Sequence, residues 1–172
     1  MAYTYVKPSS IHNPATGTAA PATWGDGVNA SLDLLAPNAC LVRRAANQSV
    51  NDSSTTNISF DTEDIDDNSF YAAGSPTKIT LPRKGIYLFD VFVQFASDAD
   101  GIRLVTLPRG GGAADRGMYM AAINGGDTSV IISFLTAERA AGDYYEVAVW
   151  HNAGGALNIT ARVAVSLLQD RT

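Results

Sequence analysis

The sequence predicts an all-β fold, an antiparallel β-sandwich or jelly roll, on three observations. From Ala39 onward, short apolar segments recur at spacings of roughly 8–15 residues, each closed by a turn signal, with no helical stretch among them. The last of them, LNITARVAVSLL at 157–168, alternates strictly, with Leu157, Ile159, Ala161, Val163, Val165 and Leu167 set against Asn158, Thr160, Arg162, Ala164 and Ser166. Period two places one face on a core and the other largely in water. Nothing repeats at a fixed interval, which argues against a propeller or solenoid.

Residues 1–38 stand apart. They are rich in Pro, Ala, Thr and Asn, with Pro8, Pro14, Pro21 and Pro37, and the first twenty-two positions show neither periodicity. They read as an extended arm, because proline disfavours helix at and before its own position. Within TWGDGVNASLDLLAP, Trp24, Val28, Leu32 and Leu35 fall four, four and three residues apart, one stripe of a helix. Thr23 is placed to cap it, Asp26 stands three residues on, and Pro37 ends it. Gly25 and Gly27 each cost about 1 kcal/mol against alanine, so this short helix needs a surface to dock on. That surface is either its own domain or a neighbouring subunit or larger assembly.

The body, 39–172, is read as strands at 40–50, 56–62, 69–73, 78–82, 102–108, 117–124, 128–136, 144–152 and 157–168, together with the stretch KGIYLFDVFVQFAS. Turns fall at SPT 75–77, PRKG 82–85, DADG 98–101, PRGGG 108–112, NGGD 124–127, AAGD 140–143 and NAGG 152–155. In KGIYLFDVFVQFAS, Tyr87, Phe89, Val91, Val93 and Phe95 form one apolar face, while the other carries Ile86, Leu88, Asp90, Phe92 and Gln94. A half-buried strand has no need of Leu88 and Phe92 on its outer side. They predict a cover, either a loop or another copy of the protein, and mark a subunit interface.

Composition narrows the function classes. The 172 residues are 46% hydrophobic and 17% charged, a globular balance. A formal net charge of −5 argues against a phosphate-binding surface, so no nucleic-acid partner is expected. The adjacent pairs Arg43-Arg44 and Arg83-Lys84 read as solvated strand ends. Cys40, the only cysteine, excludes an internal disulfide and a cysteine-based metal site and reads as a small buried apolar residue. No run approaches the ~18 apolar residues of a membrane span. MAYTYVKPSSIHNP lacks the apolar stretch of a signal peptide, which predicts synthesis in a cytoplasm.

Candidate chemistry is sparse. FDTEDIDDNSFY at 60–71 packs Asp61, Glu63, Asp64, Asp66 and Asp67 within seven positions. A helix–loop–helix calcium site needs alternate acids, a mid-loop glycine and a distal Glu. Here glycine is absent until Gly74 and no helix flanks the acids. The expectation is therefore a solvated connection between strands, and no metal site. His12 lies in the arm and His151 ends a strand, with no nucleophile placed beside either. RGGGAADRG at 109–117 lacks the Lys-Ser/Thr of a phosphate loop and precedes a strand, so it reads as a surface loop. No catalytic residue and no cofactor are expected. Among Tyr119, Tyr144, Tyr145 and Trp150, the pair Tyr144 and Trp150 shares one strand face. The pair reads as packing at the core or a subunit interface, with a shallow sugar-binding surface as the alternative.

Two resemblances sharpen this. ITLPRKGIYLFDVFVQFAS resembles the central strand motif of the tumour necrosis factor-like and complement-globular-head superfamily at Pro82, Gly85, Tyr87, Phe89, Val91 and Val93. FLTAERAAGDYYEVAVWHN is similar to that family's turn before its penultimate strand at Leu135, Gly142, Asp143, Val147 and Val149. ITARVAVSLL lacks the family's usual Phe-Gly pair, which sets the chain outside the vertebrate secreted branch. The N-terminal PATWGDGVNASLDLLAPNACLVRRAANQSV, followed by FDTEDIDDNSFY, resembles bacteriophage virion proteins in which a WGD helix precedes a jelly roll. The resemblances imply a ten-stranded antiparallel jelly roll and a homotrimer on the outside of a phage particle. There it would be a capsid decoration, fibre or minor tail component bound to other virion proteins. A host-cell glycan or receptor-binding module is the alternative.

Overall fold

The structure, a computed structural model, describes residues 38–171. The predicted arm, the helix with Trp24, Val28, Leu32 and Leu35, and His12 lie outside them. Among the described residues there are eleven strands and no helix: β1 Ala39–Val50, β2 Thr56–Asn57, β3 Thr62–Asp66, β4 Lys78–Thr80, β5 Gly85–Phe95, β6 Ile102–Pro108, β7 Ala114–Ala121, β8 Thr128–Leu135, β9 Tyr144–Glu146, β10 Ala148–His151 and β11 Leu157–Asp170. A five-stranded sheet has the order β3-β1-β11-β5-β8, a four-stranded sheet the order β2-β10-β6-β7, and β4 pairs with β9. Every pairing is antiparallel. The all-β jelly roll is the fold class that the alternation predicts.

The core lies between the sheets. Tyr87, Phe89, Val91, Val93 and Phe95 of β5 are buried, as are Ile159, Ala161, Val163 and Val165 of the neighbouring β11 and Val105, Leu107 and Val149 from the four-stranded sheet. Phe89 stacks on Phe134 at 5.3 Å between centroids and tilts against Tyr145 at 4.8 Å. Burying side chains of this size stabilises the fold by about 1.5–3 kcal/mol each. Cys40 is buried among them, and burial, with the nearby Asp66, Glu63 and Asp67 adding to it, pushes its thiol up to about 12.

The two motifs that carried the resemblance meet in space. Gly85 opens β5 so close to β11 that a Cβ there would lie 2.4 Å from the Gln169 carbonyl oxygen. Gly142, at φ 87°, donates its N–H to the Leu81 carbonyl at 2.8 Å, and Leu81 donates to the Asp143 carbonyl at 2.7 Å. Both glycines are thus set by backbone approach, one through lack of space for a side chain and one through a left-handed conformation.

Several boundaries differ from the sequence reading. The stretch 144–152 changes partners at Val147: β9 pairs with β4, β10 pairs with β2 and β6, and the Val147 carbonyl takes the Ile58 N–H at 2.8 Å. With this division, the added β3 and the loss of the strand read at 69–73, the described residues hold eleven strands where the resemblance implies ten. The strand read at 56–62 divides between β2 at Thr56–Asn57 and Thr62, the first residue of β3. That at 69–73 shrinks to a single bridge, Tyr71 to Ile79. Arg43 and Arg44 lie within β1 and not at its end. RGGG is a tight β6–β7 connection, with Gly110 and Gly111 at φ 59° and 70°, and Ala114–Gly117 already belong to β7.

Candidate functional site

The acidic stretch is not a loop. Thr62–Asp66 forms β3, the edge strand beside β1, with a bulge that sets Leu41 opposite Ile65 and Val42 opposite Glu63. Asp61, Asp64, Asp66 and Asp67 have partners. Asp64 receives Arg43 through two hydrogen bonds of 2.5 and 2.7 Å, and that bond is the main reason its carboxyl is held below the usual range. Asp61 accepts the N–H groups of Ala45 and Ala46 at 2.8 and 3.0 Å, holding an irregularity of β1, and those bonds lower its pKa. Asp66 accepts the N–H groups of Phe70 and Tyr71 at 2.8 and 3.0 Å, and Asp67 that of Ala39 at 3.1 Å. The clustering reflects carboxylates satisfying irregular backbone and charging an exposed sheet edge. No group of three or more metal-ligating side chains suited to an ion occurs among the described residues.

The outer face of the five-stranded sheet is the dominant surface feature. Leu88 and Phe92 project from β5 on this face and are half-buried. In register beside them on β8 stand Leu135 and Ile131, 55% and 58% exposed. Across the sheet, Leu41 sits opposite Ile65, itself 46% exposed. Leu88 with Leu135 and Phe92 with Ile131 are thus two apolar pairs on either side of Asp90 and Ser133, and β11, carrying Arg162, Ala164 and Ser166, separates them from Leu41 and Ile65. The sequence analysis did not place Ile131 or Leu135 on this face, although TSVIISFL shows the same signal as β5, apolar residues on both parities.

A second apolar region follows β7 and its exit. Met118, Tyr119, Met120 and Ile123 are exposed, Tyr119 to 72%. On the outer side of the four-stranded sheet, Trp150 pairs with Leu104 and Leu104 with Tyr119, making one transverse row. Tyr144 lies elsewhere, on β9, where the Lys78 ammonium sits 4.4 Å from its ring centroid. Tyr144 and Trp150 thus keep the same parity but belong to different sheets. Tyr145 is buried and leaves the set of surface aromatics.

The remaining polar clusters brace the ends of the sandwich. The Tyr145 hydroxyl donates to Asp115 at 2.6 Å and accepts from Arg139 at 2.8 Å, and Arg139 also bonds Asp115 at 2.6 Å. The Tyr145 bond, then Arg139, hold the Asp115 carboxyl low, while burial pushes the Tyr145 phenol up to about 12. His151 is fully buried, with Nε2 3.0 Å from the Val50 carbonyl oxygen and Nδ1 3.4 Å from the Ala153 nitrogen. Both ring nitrogens are engaged by backbone.

No family model matches the chain, and no curated protein matches it. Solved structures do. The globular domain of the zebrafish complement 1qA protein superposes with a TM-score of 0.56 at 14% identity, covering 79% of this chain and 100% of that one. The Eiger tumour necrosis factor of S. frugiperda gives 0.53 at 14%, over 80% and 96%. Murine APRIL gives 0.52 at 16%, over 75% and 99%. At these identities the likeness is one of fold, and the chain carries the jelly roll of complement globular heads and tumour necrosis factors.

Proposed function

We propose that this chain is a non-enzymatic structural protein of a bacteriophage virion. In this reading residues 39–172 form a homotrimeric jelly-roll knob. Residues 1–38, through Trp24, Val28, Leu32 and Leu35, tether it to the particle as a capsid decoration, fibre or minor tail component. It is made in the host cytoplasm and displayed on the virion surface.

The observation that carries the assembly is the apolar outer face of the five-stranded sheet. Leu88, Phe92, Ile131 and Leu135 stand where a monomer would keep polar groups, and apolar surface of this kind is normally covered by a partner. A closed three-fold ring requires two unlike patches that meet. The phage setting rests on the WGD stretch and its combination with a jelly roll. Three copies would multiply one weak helix-and-arm contact through avidity.

Light scattering of the purified chain at micromolar concentration tests the assembly, with the mass of three chains expected; a clean monomer refutes it. Trp24→Ala should leave the knob folded and trimeric but lower its incorporation into particles, and unchanged incorporation would remove the helix as the anchor.

A host-glycan module is the second reading, favoured by the row Trp150–Leu104–Tyr119, which offers aromatic faces to a sugar ring. Selective binding of the trimer on a glycan array supports that role, and a blank array supports decoration alone.

A further inference from the structure

The outer face of the five-stranded sheet holds two charges that the described residues leave without a counter-charge. Arg162 of β11 projects there, directly opposite Arg43 on one side and Phe92 on the other. Like charges placed directly opposite are unfavourable. Arg43 is neutralised by Asp64 at 2.5 Å and Arg44 by Asp61 at 3.3 Å, but no carboxylate among the described residues stands within ion-pair distance of Arg162. Asp90 of β5 lies on the same face, opposite Ala164 of β11 and Ser133 of β8. The Ser133 hydroxyl donates to it, yet no cation among the described residues comes within ion-pair distance. Both side chains are exposed. Arg162 borders a groove of about 400 Å³ lined also by Arg43, Arg44, Phe92 and Thr160.

Resting on the homotrimer reading, we infer that Arg162 of one copy pairs with Asp90 of a second copy, and that this pair fixes the register of the three-fold assembly. Covering the apolar residues around them removes both charges from water. An uncompensated charge buried in this way is strongly destabilising. Within one chain the two sit on adjacent residue pairs, a diagonal relation of roughly 7–8 Å, and they do not bridge. A second copy supplies the missing opposite charge to each. The occupant of the groove is therefore a carboxylate of this same chain. Around a three-fold axis the Arg162 side of one copy's face meets the Asp90 side of the next, the two unlike patches that a closed ring requires, and a slipped register would bring like charges together.

The test is charge reversal read by light scattering, with near-ultraviolet circular dichroism to confirm that each variant is folded. Arg162→Glu and Asp90→Arg, each alone, should shift the mass from three chains toward one or raise the dissociation concentration at least tenfold. The milder Arg162→Gln and Asp90→Asn should move it the same way by less, and they read the pair should a reversal fail to fold. The double reversal should restore the trimer. An equimolar mixture of the two single reversals should recover part of it, since mixed rings contain matched contacts. If the wild type is a trimer and the neutral and reversed variants leave it intact, the pair does not exist. If the double variant recovers but the mixture does not, the pair lies within one chain and the inference fails. A monomeric wild type would refute the homotrimer reading itself and this pair with it.

Discussion

The Tyr87 hydroxyl donates to the Arg83 carbonyl at 2.6 Å and receives the Arg83 N–H at 3.2 Å. A fully buried ring thereby closes the turn that feeds β5. The Pro-to-Tyr spacing of the motif thus has a mechanical reason: the phenol four residues on satisfies both backbone groups of one turn residue. Tyr87→Phe keeps the ring in the core and deprives Arg83 of both partners. It should cost about 1–2 kcal/mol, read as a lower urea midpoint with an unchanged slope.

Gly85 faces a different constraint. An added Cβ would meet the Gln169 oxygen at 2.4 Å and Leu167 Cδ1 at 2.6 Å. The side chain of Leu167 can give way, but the backbone of β11 cannot without breaking register. Gly85→Ala should destabilise by about 1–3 kcal/mol. Gly155→Ala, where nothing lies within 4 Å of the new carbon, should stay close to wild type. Thermal denaturation of the two variants side by side checks both.

Acid should loosen the fold through identifiable carboxylates. Asp115 is held low chiefly by the Tyr145 hydroxyl, Asp61 by the N–H of Ala45, Asp64 by Arg43 and Asp52 by the N–H of Gly154. A carboxyl whose folded pKa is depressed stabilises fully above its unfolded value near 4 and loses that contribution as pH falls further. Melting temperature should therefore drop below about pH 4. Asp115→Asn should melt lower at pH 7 and show a shallower fall in acid. An unchanged acid slope would show that Asp115 is not part of it.

The alkaline limb has the opposite origin. Burial raises both Cys40 and Tyr145 to about 12. Groups raised in the folded state stabilise fully below their unfolded pKa and lose that contribution as pH climbs to the folded value. Stability should decline from about pH 8, where unfolded thiols begin to ionise, up to about 12. Cys40→Ala removes one of the two titrations, so its unfolding midpoint should fall less between pH 8 and pH 11, roughly the interval over which a free thiol ionises.

What the sequence disclosed follows from where a single period is decisive. β5 buries one parity completely and β11 does so from Leu157 to Val165, so alternation marks them. The two-sided greasiness of β5 also marks the outer face through Leu88 and Phe92. The acidic stretch misled because five carboxylates look like solvent-facing loop, whereas partners of Asp64 and Asp61, Arg43 and the N–H groups of Ala45 and Ala46, lie on another segment. β6 is bounded as the sequence predicts, at 102–108, but which of its residues are buried was not legible. Its core-facing parity includes Arg103, fully buried because its guanidinium reaches the Asp100 and Asp98 carbonyls at 2.8 and 3.1 Å, while Ile102 faces out. The unmatched state of Arg162 is invisible in one dimension, since it depends on Arg43 having already taken Asp64.

The placement of β11 between β1 and β5 has a consequence for biosynthesis. A ribosome delivers β1, β5 and β8 well before residues 157–170, so the nascent chain waits with a vacant slot at the centre of its largest sheet. Closure must follow emergence of that segment from the exit tunnel, and until then the unzipped halves are natural clients for holdase chaperones.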